Sequence, residues 1–195
     1  MDKFVITAAS LVTGEAVSTA RLGTRFGRMD LLSQLALLAV ESLGLDWAAL
    51  PRDRIAICLA AGAGSLATDL EYWAGRATPG GLSPTLFTYT LPSAAIGEIA
   101  IRHRLTGPNL CFVGSSEPVL PEALELLRRG EADGCVCVFA QVVSPALAAL
   151  LATPVAASAG ALFLRRGGDG VCELGEFDRD MEALCARVCR IKSTR

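Results

Sequence analysis

Apolar and polar positions change period several times along this chain, and each change marks an element. Phe4 to Val12 is an almost unbroken apolar run with β-branched members, the pattern of a strand buried on both faces. Gly14 to Gly27 is polar and punctuated by glycine, which predicts a loop or a short hairpin. From Arg28 the residues Leu31, Leu32, Leu35, Leu38, Ala39 and Leu43 follow helical spacing, and Gly44 supplies the stop. Ile55 to Ala61 reads as a second buried strand that runs into the turn AAGAGS ahead of a short helix, Leu66 to Ala74. That turn lacks the Lys-Ser/Thr of a phosphate-binding loop and the spacing of a dinucleotide loop, so it is read as a close-packed connection. Thr78 to Ser83 is a Pro/Gly loop, SPTLFTYTLP reads as exposed, and Pro92 opens a helix through about Arg104. Ile96, Ile99, Ala100 and His103 share one stripe of that helix, so His103 is expected to be a packed residue.

The segment Gly107 to Phe139 organises the rest. It contains a turn at Gly107-Pro108-Asn109, an apolar run Leu110 to Val113, a tight GSS turn, a helix, and a second apolar run from Gly134 to Ala140. Two apolar runs joined by a helix predict parallel strands in an α/β sheet, with chemistry expected where the first strand ends, at Ser115-Ser116. On the joining helix Val119, Leu120, Ala123, Leu124, Leu126 and Leu127 share one side, while Glu122, Glu125, Arg128 and Arg129 occupy the other. Beyond it, Ser144 to Thr153 reads as a Pro- and Ala-rich connection. Ala159 to Arg165 is a further strand, Gly167 to Gly170 signals a hairpin with Val171 to Phe177 as its partner, and Asp178 to Lys192 closes the chain as a helix.

A chain of 195 residues fits one core, so a single domain spanning 1–195 is expected, with a helix near its C-terminus over 178–195. The net charge of -2 and the lack of a concentrated basic patch argue against a nucleic-acid partner. No run of apolar residues is long enough for a membrane span and no secretory leader is evident, so a cytoplasmic location is expected. Seven cysteines, with Cys58, Cys111, Cys135 and Cys137 inside apolar runs, are read as small buried hydrophobes. Cys185 and Cys189 lie one helical turn apart without further ligands nearby, so no metal or cofactor is expected.

Four separated segments carry a resemblance. RMDLLSQLALLAVESLG (28–44), SPTLFTYTLPSAAIGEIAIRHRLTGPN (83–109), LELLRRGEADGCVCVFAQ (124–141) and SAGALFLRR (158–166) resemble, in the same order, the N-terminal half of β-ketoacyl-acyl-carrier-protein synthases. The resemblance implies an α/β, thiolase-like half fold: a single mixed five-stranded sheet with helices on both faces. In that family the strand after GPN ends in an alanine-cysteine pair whose thiolate attacks the acyl thioester. Seven positions after Asn109 this chain has Ser116, and a serine hydroxyl has no useful ionised fraction without an adjacent base. The family's two catalytic histidines and its lysine come from its C-terminal half, whereas this sequence holds one histidine, His103. No catalytic residue is therefore assigned, Ser116 being only the nucleophile-equivalent position, and the chain is expected not to be an enzyme by itself.

Further expectations follow from the same resemblance. Pro118 and Pro121 forbid a helix running unbroken from Ser116, so the turn there is expected to be rebuilt. In a full synthase this helix is covered on both sides, and burying its charged face would cost on the order of several kcal/mol per charge. A second sheet over it is therefore not expected. Nucleophile-lacking relatives in dissociated polyketide and aryl polyene systems act as chain-length factors that wall off a partner's acyl tunnel. The resemblance implies pairing through Leu110, Cys111, Phe112 and Val113, and tunnel lining by Phe87, Tyr89 and Leu91. The implied partner is a full-length β-ketoacyl synthase, in a heterodimer, or a second copy of this chain, with an acyl carrier protein as a further possible partner. The alternative is a serine-dependent acyltransferase or thioesterase that uses Ser116, with His103 as base.

Overall fold

In a computed structural model of the protein, residues 3–77, 79–167, 172–173 and 180–193 are described. Five long strands, β1 (Phe4–Thr13), β2 (Ile55–Ala61), β3 (Asn109–Val113), β4 (Gly134–Val143) and β5 (Ala156–Arg166), join one mixed sheet, and the two-residue β6 (Cys172–Glu173) extends it. The order across the sheet is β3-β2-β4-β5-β1-β6. Strand β2 runs parallel to both β3 and β4, so the two runs of the Gly107 to Phe139 unit flank it instead of touching each other. Strand β5 runs antiparallel to both of its neighbours, β4 and β1. All seven residues of β2 are buried, as its continuous apolar run requires of a strand covered on both faces.

The helices are α1 (Gly14–Thr19), α2 (Leu31–Glu41), α3 (Leu66–Ala74), α4 (Pro84–Phe87), α5 (Ser93–His103), α6 (Val119–Arg128), α7 (Pro145–Leu151) and α8 (Met181–Ser193). Leu35, Ala36, Ala39 and Val40 of α2, with Ile96 and Ile99 of α5, pack on one face of the sheet. The other face is covered by Val119, Leu120, Ala123 and Leu127 of α6, and by Met181, Leu184, Cys185 and Val188 of α8. The Asp30 carboxylate caps α2 by accepting from the Ser33 N–H at 3.0 Å, and it also accepts from the Thr68 hydroxyl at 2.7 Å, which ties α2 to α3. Gly107 precedes β3 where the chain passes against β2, and a Cβ there would collide with the Ile55 carbonyl, so the GPN turn requires its glycine.

Three local expectations are corrected. The 14–27 segment holds helix α1 and a 3₁₀ turn at Phe26–Arg28, because Val17 finds the core from a helix as well as from a loop. The connection after β4 holds α7, which Ser144 caps by accepting from the Leu147 N–H at 3.3 Å, with Pro145 in the first turn. The strand at 172–173 pairs with β1 at Val5 and Ile6, since β5 already has β4 and β1 on its two edges. Residues 168–170 of the expected turn and most of the partner strand lie outside the described residues.

Candidate functional site

β3 ends the sheet. It bonds only to β2, and its residues alternate between exposed (Asn109, Cys111, Val113) and half-buried (Leu110, Phe112). The Ile57 N–H donates to the Pro108 carbonyl at 2.9 Å and the Gly114 N–H to the Ala61 carbonyl at 3.0 Å. Even-numbered positions of β3 therefore face β2, and the N–H and C=O groups of Asn109, Cys111 and Val113 point outward with no strand beyond them. Cys111 lies on this edge and is exposed, in contrast to the burial expected of it. Cys58, Cys135, Cys137 and Cys185 are buried, and burial holds the Cys137 and Cys185 thiols protonated.

After Val113 the chain leaves the sheet through Gly114 at φ +102°, a conformation suited to glycine. The Ser115 hydroxyl accepts from the Glu117 N–H at 3.1 Å, and the Ser116 carbonyl accepts from the Val119 N–H at 3.1 Å. Helix α6 starts only at Val119, with Pro118 as its cap, so no helix runs from Ser116, which stands outside it. Ser115 and Ser116 border a pocket of about 180 Å³ that Gln141, Asp180 and Glu182 also line. The two carboxylates come from the start of α8 and were not anticipated, because nothing local in the sequence brings that helix across the end of β3. They make the pocket acidic.

His103 is not near it. Arg52, which precedes β2, lines the same surface recess as His103, whereas the Ser116 pocket includes Ala60 and Gly62 at the far end of that strand. Seven residues of extended chain separate the two by roughly 20 Å. The imidazole stacks on Trp47 with centroids 4.1 Å apart, and desolvation, its largest influence, lowers its pKa. Ser116 and His103 are not brought together, so a serine nucleophile with His103 as its base is not supported.

The 84–92 loop adjoins the same edge. The Ser65 hydroxyl donates to the Thr90 carbonyl at 2.6 Å, and neighbouring Gly64 lies against Val113 of β3. Phe87 and Leu91 are 59% and 66% exposed, and Phe87 meets Tyr72 at 5.4 Å beside a cleft of about 410 Å³. Tyr89 points the other way and is buried. Its hydroxyl donates to Glu98 Oε1 at 3.0 Å, and Glu98 accepts two bonds from Arg25, at 2.7 and 3.0 Å. Desolvation above all, then the Glu98 bond, pushes the Tyr89 phenol up to about 12. Tyr89 thus anchors the loop to α5 and Arg25, while Phe87 and Leu91 stay exposed. Arg25 and Glu98 lie 73 positions apart, a pairing that no local pattern signals.

Among the described residues no group of three His, Cys, Asp or Glu side chains could hold a metal ion, and no helix is long and apolar enough to cross a membrane. The family model for the beta-ketoacyl synthase N-terminal domain matches residues 20–172. The chain belongs to this family. No protein of curated function matches it. Among solved structures, this ketoacyl-synthase domain is similar to the ishigamide ketosynthase/chain length factor (TM-score 0.70, 22% identity), covering 84% of this chain and 62% of that one. It is also similar to AntDE:AntF, a type II polyketide synthase acyl carrier protein in complex with its ketosynthase (0.76, 17%, covering 94% and 71%). A third is the ketosynthase ApeO in complex with its chain length factor ApeC from Xenorhabdus doucetiae (0.63, 19%, covering 85% and 80%). These likenesses establish the thiolase-like fold, of which this domain spans about three fifths of the ishigamide chain.

Proposed function

We propose that this chain is a non-catalytic β-ketoacyl-synthase-like subunit that pairs with a full-length ketosynthase and shapes its acyl tunnel. The observation that carries the reading is the open β3 edge beside a nucleophile-equivalent position that holds Ser116 in place of a cysteine, far from the His103 imidazole. An apolar edge with outward N–H and C=O groups at Asn109, Cys111 and Val113 is a template for another strand. The matched structures contain ketosynthases with chain length factors or an acyl carrier protein, which supports such a partner for this chain. An acyl carrier protein is a second partner on the same reading, and the cytoplasm the compartment.

The charged side of α6 fits this role. Glu125 accepts from Arg129 at 2.7 Å and lies 3.9 Å from Arg128, so the helix satisfies its own charges in solvent without a covering sheet. Within the complex, Phe87 and Leu91 would reach the partner's tunnel and limit chain length by the volume they fill. Reconstitution with the partner ketosynthase and a carrier protein tests this. Phe87→Ala is expected to shift the product distribution to longer chains at unchanged complex yield, and an unchanged distribution counts against tunnel lining.

A further inference from the structure

At the end of the molecule opposite Ser116, the last turns of α2 and α5 enclose an open-mouthed recess of about 280 Å³, lined by Glu41, Trp47, Arg52, Arg102, His103 and Arg104. His103 keeps only 5% of its side chain exposed, and its Nε2 is buried without a hydrogen-bond partner. The Glu41 carboxylate lies 3.6 Å from that nitrogen, beyond bonding distance. Glu41 is already engaged by Arg102 Nε at 2.8 Å, and Arg102 also donates to the Leu22 carbonyl at 3.3 Å. Arg52 gives its Nε to the Trp47 carbonyl at 3.4 Å, while the Arg104 side chain makes no hydrogen bond or ion pair among the described residues.

The charges do not cancel. Two helix C-termini contribute about half a negative charge each and Glu41 one more, against three guanidiniums, which leaves roughly one positive charge unmatched. Neutralising the helix ends therefore explains only part of the basic cluster. What remains is a recess with free guanidinium donors and one sequestered imidazole nitrogen that lacks an acceptor. Guanidiniums and an imidazolium together suit a tetrahedral oxyanion, which accepts several charge-assisted bonds at once.

We propose that this recess binds a phosphate-type dianion, held by Arg52 and Arg104 with His103 Nε2 donating to one of its oxygens. The group that donates is the imidazolium, so binding takes up a proton at His103. The charged groups facing it are Glu41 from α2, Arg52 from the turn before β2, and Arg102 and Arg104 from α5, so protonation follows the anion's arrival. A bound dianion reverses the repulsion that Arg102 and Arg52 exert on the protonated ring.

His103 is the only histidine, so its ring protons give one isolated NMR signal in tag-free protein. Titration with inorganic phosphate at constant ionic strength is expected to move that signal saturably, with a midpoint on the order of millimolar, and to raise its titration midpoint. Arg104→Gln and Arg52→Gln, both at the rim, are each expected to weaken binding at least about tenfold while leaving thermal unfolding unchanged. A non-saturating drift, or equal binding by both variants, overturns the site. O-phosphoserine distinguishes sources: binding at least as tight as inorganic phosphate assigns the recess to phosphate esters, and preference for the free ion assigns it to inorganic phosphate.

Discussion

His103 is held neutral chiefly by desolvation, with Arg102 and Arg52 adding to that effect and Glu41 opposing it. Its folded pKa lies below the value of about 6.5 it takes when unfolded. Between the two values the unfolded chain binds more protons, so stability is full above about pH 6.5 and is lost as pH falls through the folded pKa. Denaturant midpoints measured in phosphate-free buffer are expected to fall from pH 7 towards pH 5.5, and His103→Gln is expected to flatten that slope. A slope that survives the substitution contradicts the assignment. Ser116, outside a helix and roughly 20 Å from the imidazole, is expected to stay unmodified when the chain is incubated with an acyl thioester and weighed intact. An added acyl mass that Ser116→Ala abolishes would restore the enzymatic reading.

Helix α6 separates packing from charge within ten residues. Leu127 is 2% exposed under the sheet, and Leu127→Ala is expected to cost about 2–5 kcal/mol. The Glu125 pairs lie in solvent, so Glu125→Ala is expected to cost less than about 0.5 kcal/mol. Urea unfolding of the two variants checks the contrast, and a large Glu125 effect would mean that this face is covered. The division was legible beforehand because one helix displays both stripes at a 3.6-residue period. The same holds for β2 and β4, whose continuous apolar runs allow only burial on both faces. Helix α7 was not legible, since Pro145 and the alanines that follow it carry no polar stripe to set a period. Nor was the burial of Tyr89, which depends on Glu98 and on a distant arginine.

For the whole molecule, the sheet order places β3 at an edge and α8 across the end of the Ser116 turn. The resemblance located the first of these features, because the GPN turn and the strand after it are contiguous in sequence. The second depends on chain far from Ser116 and left no local trace. The outward edge groups of β3 set the decisive test, since proline at Cys111 removes an outward N–H and none that bonds to β2. Native mass spectrometry of the chain co-expressed with a full-length ketosynthase of the same genome is expected to show a one-to-one complex. With Cys111→Pro it is expected to show only a folded, uncomplexed subunit. A complex that persists in the proline variant, or no complex with the unaltered chain, would contradict pairing through β3.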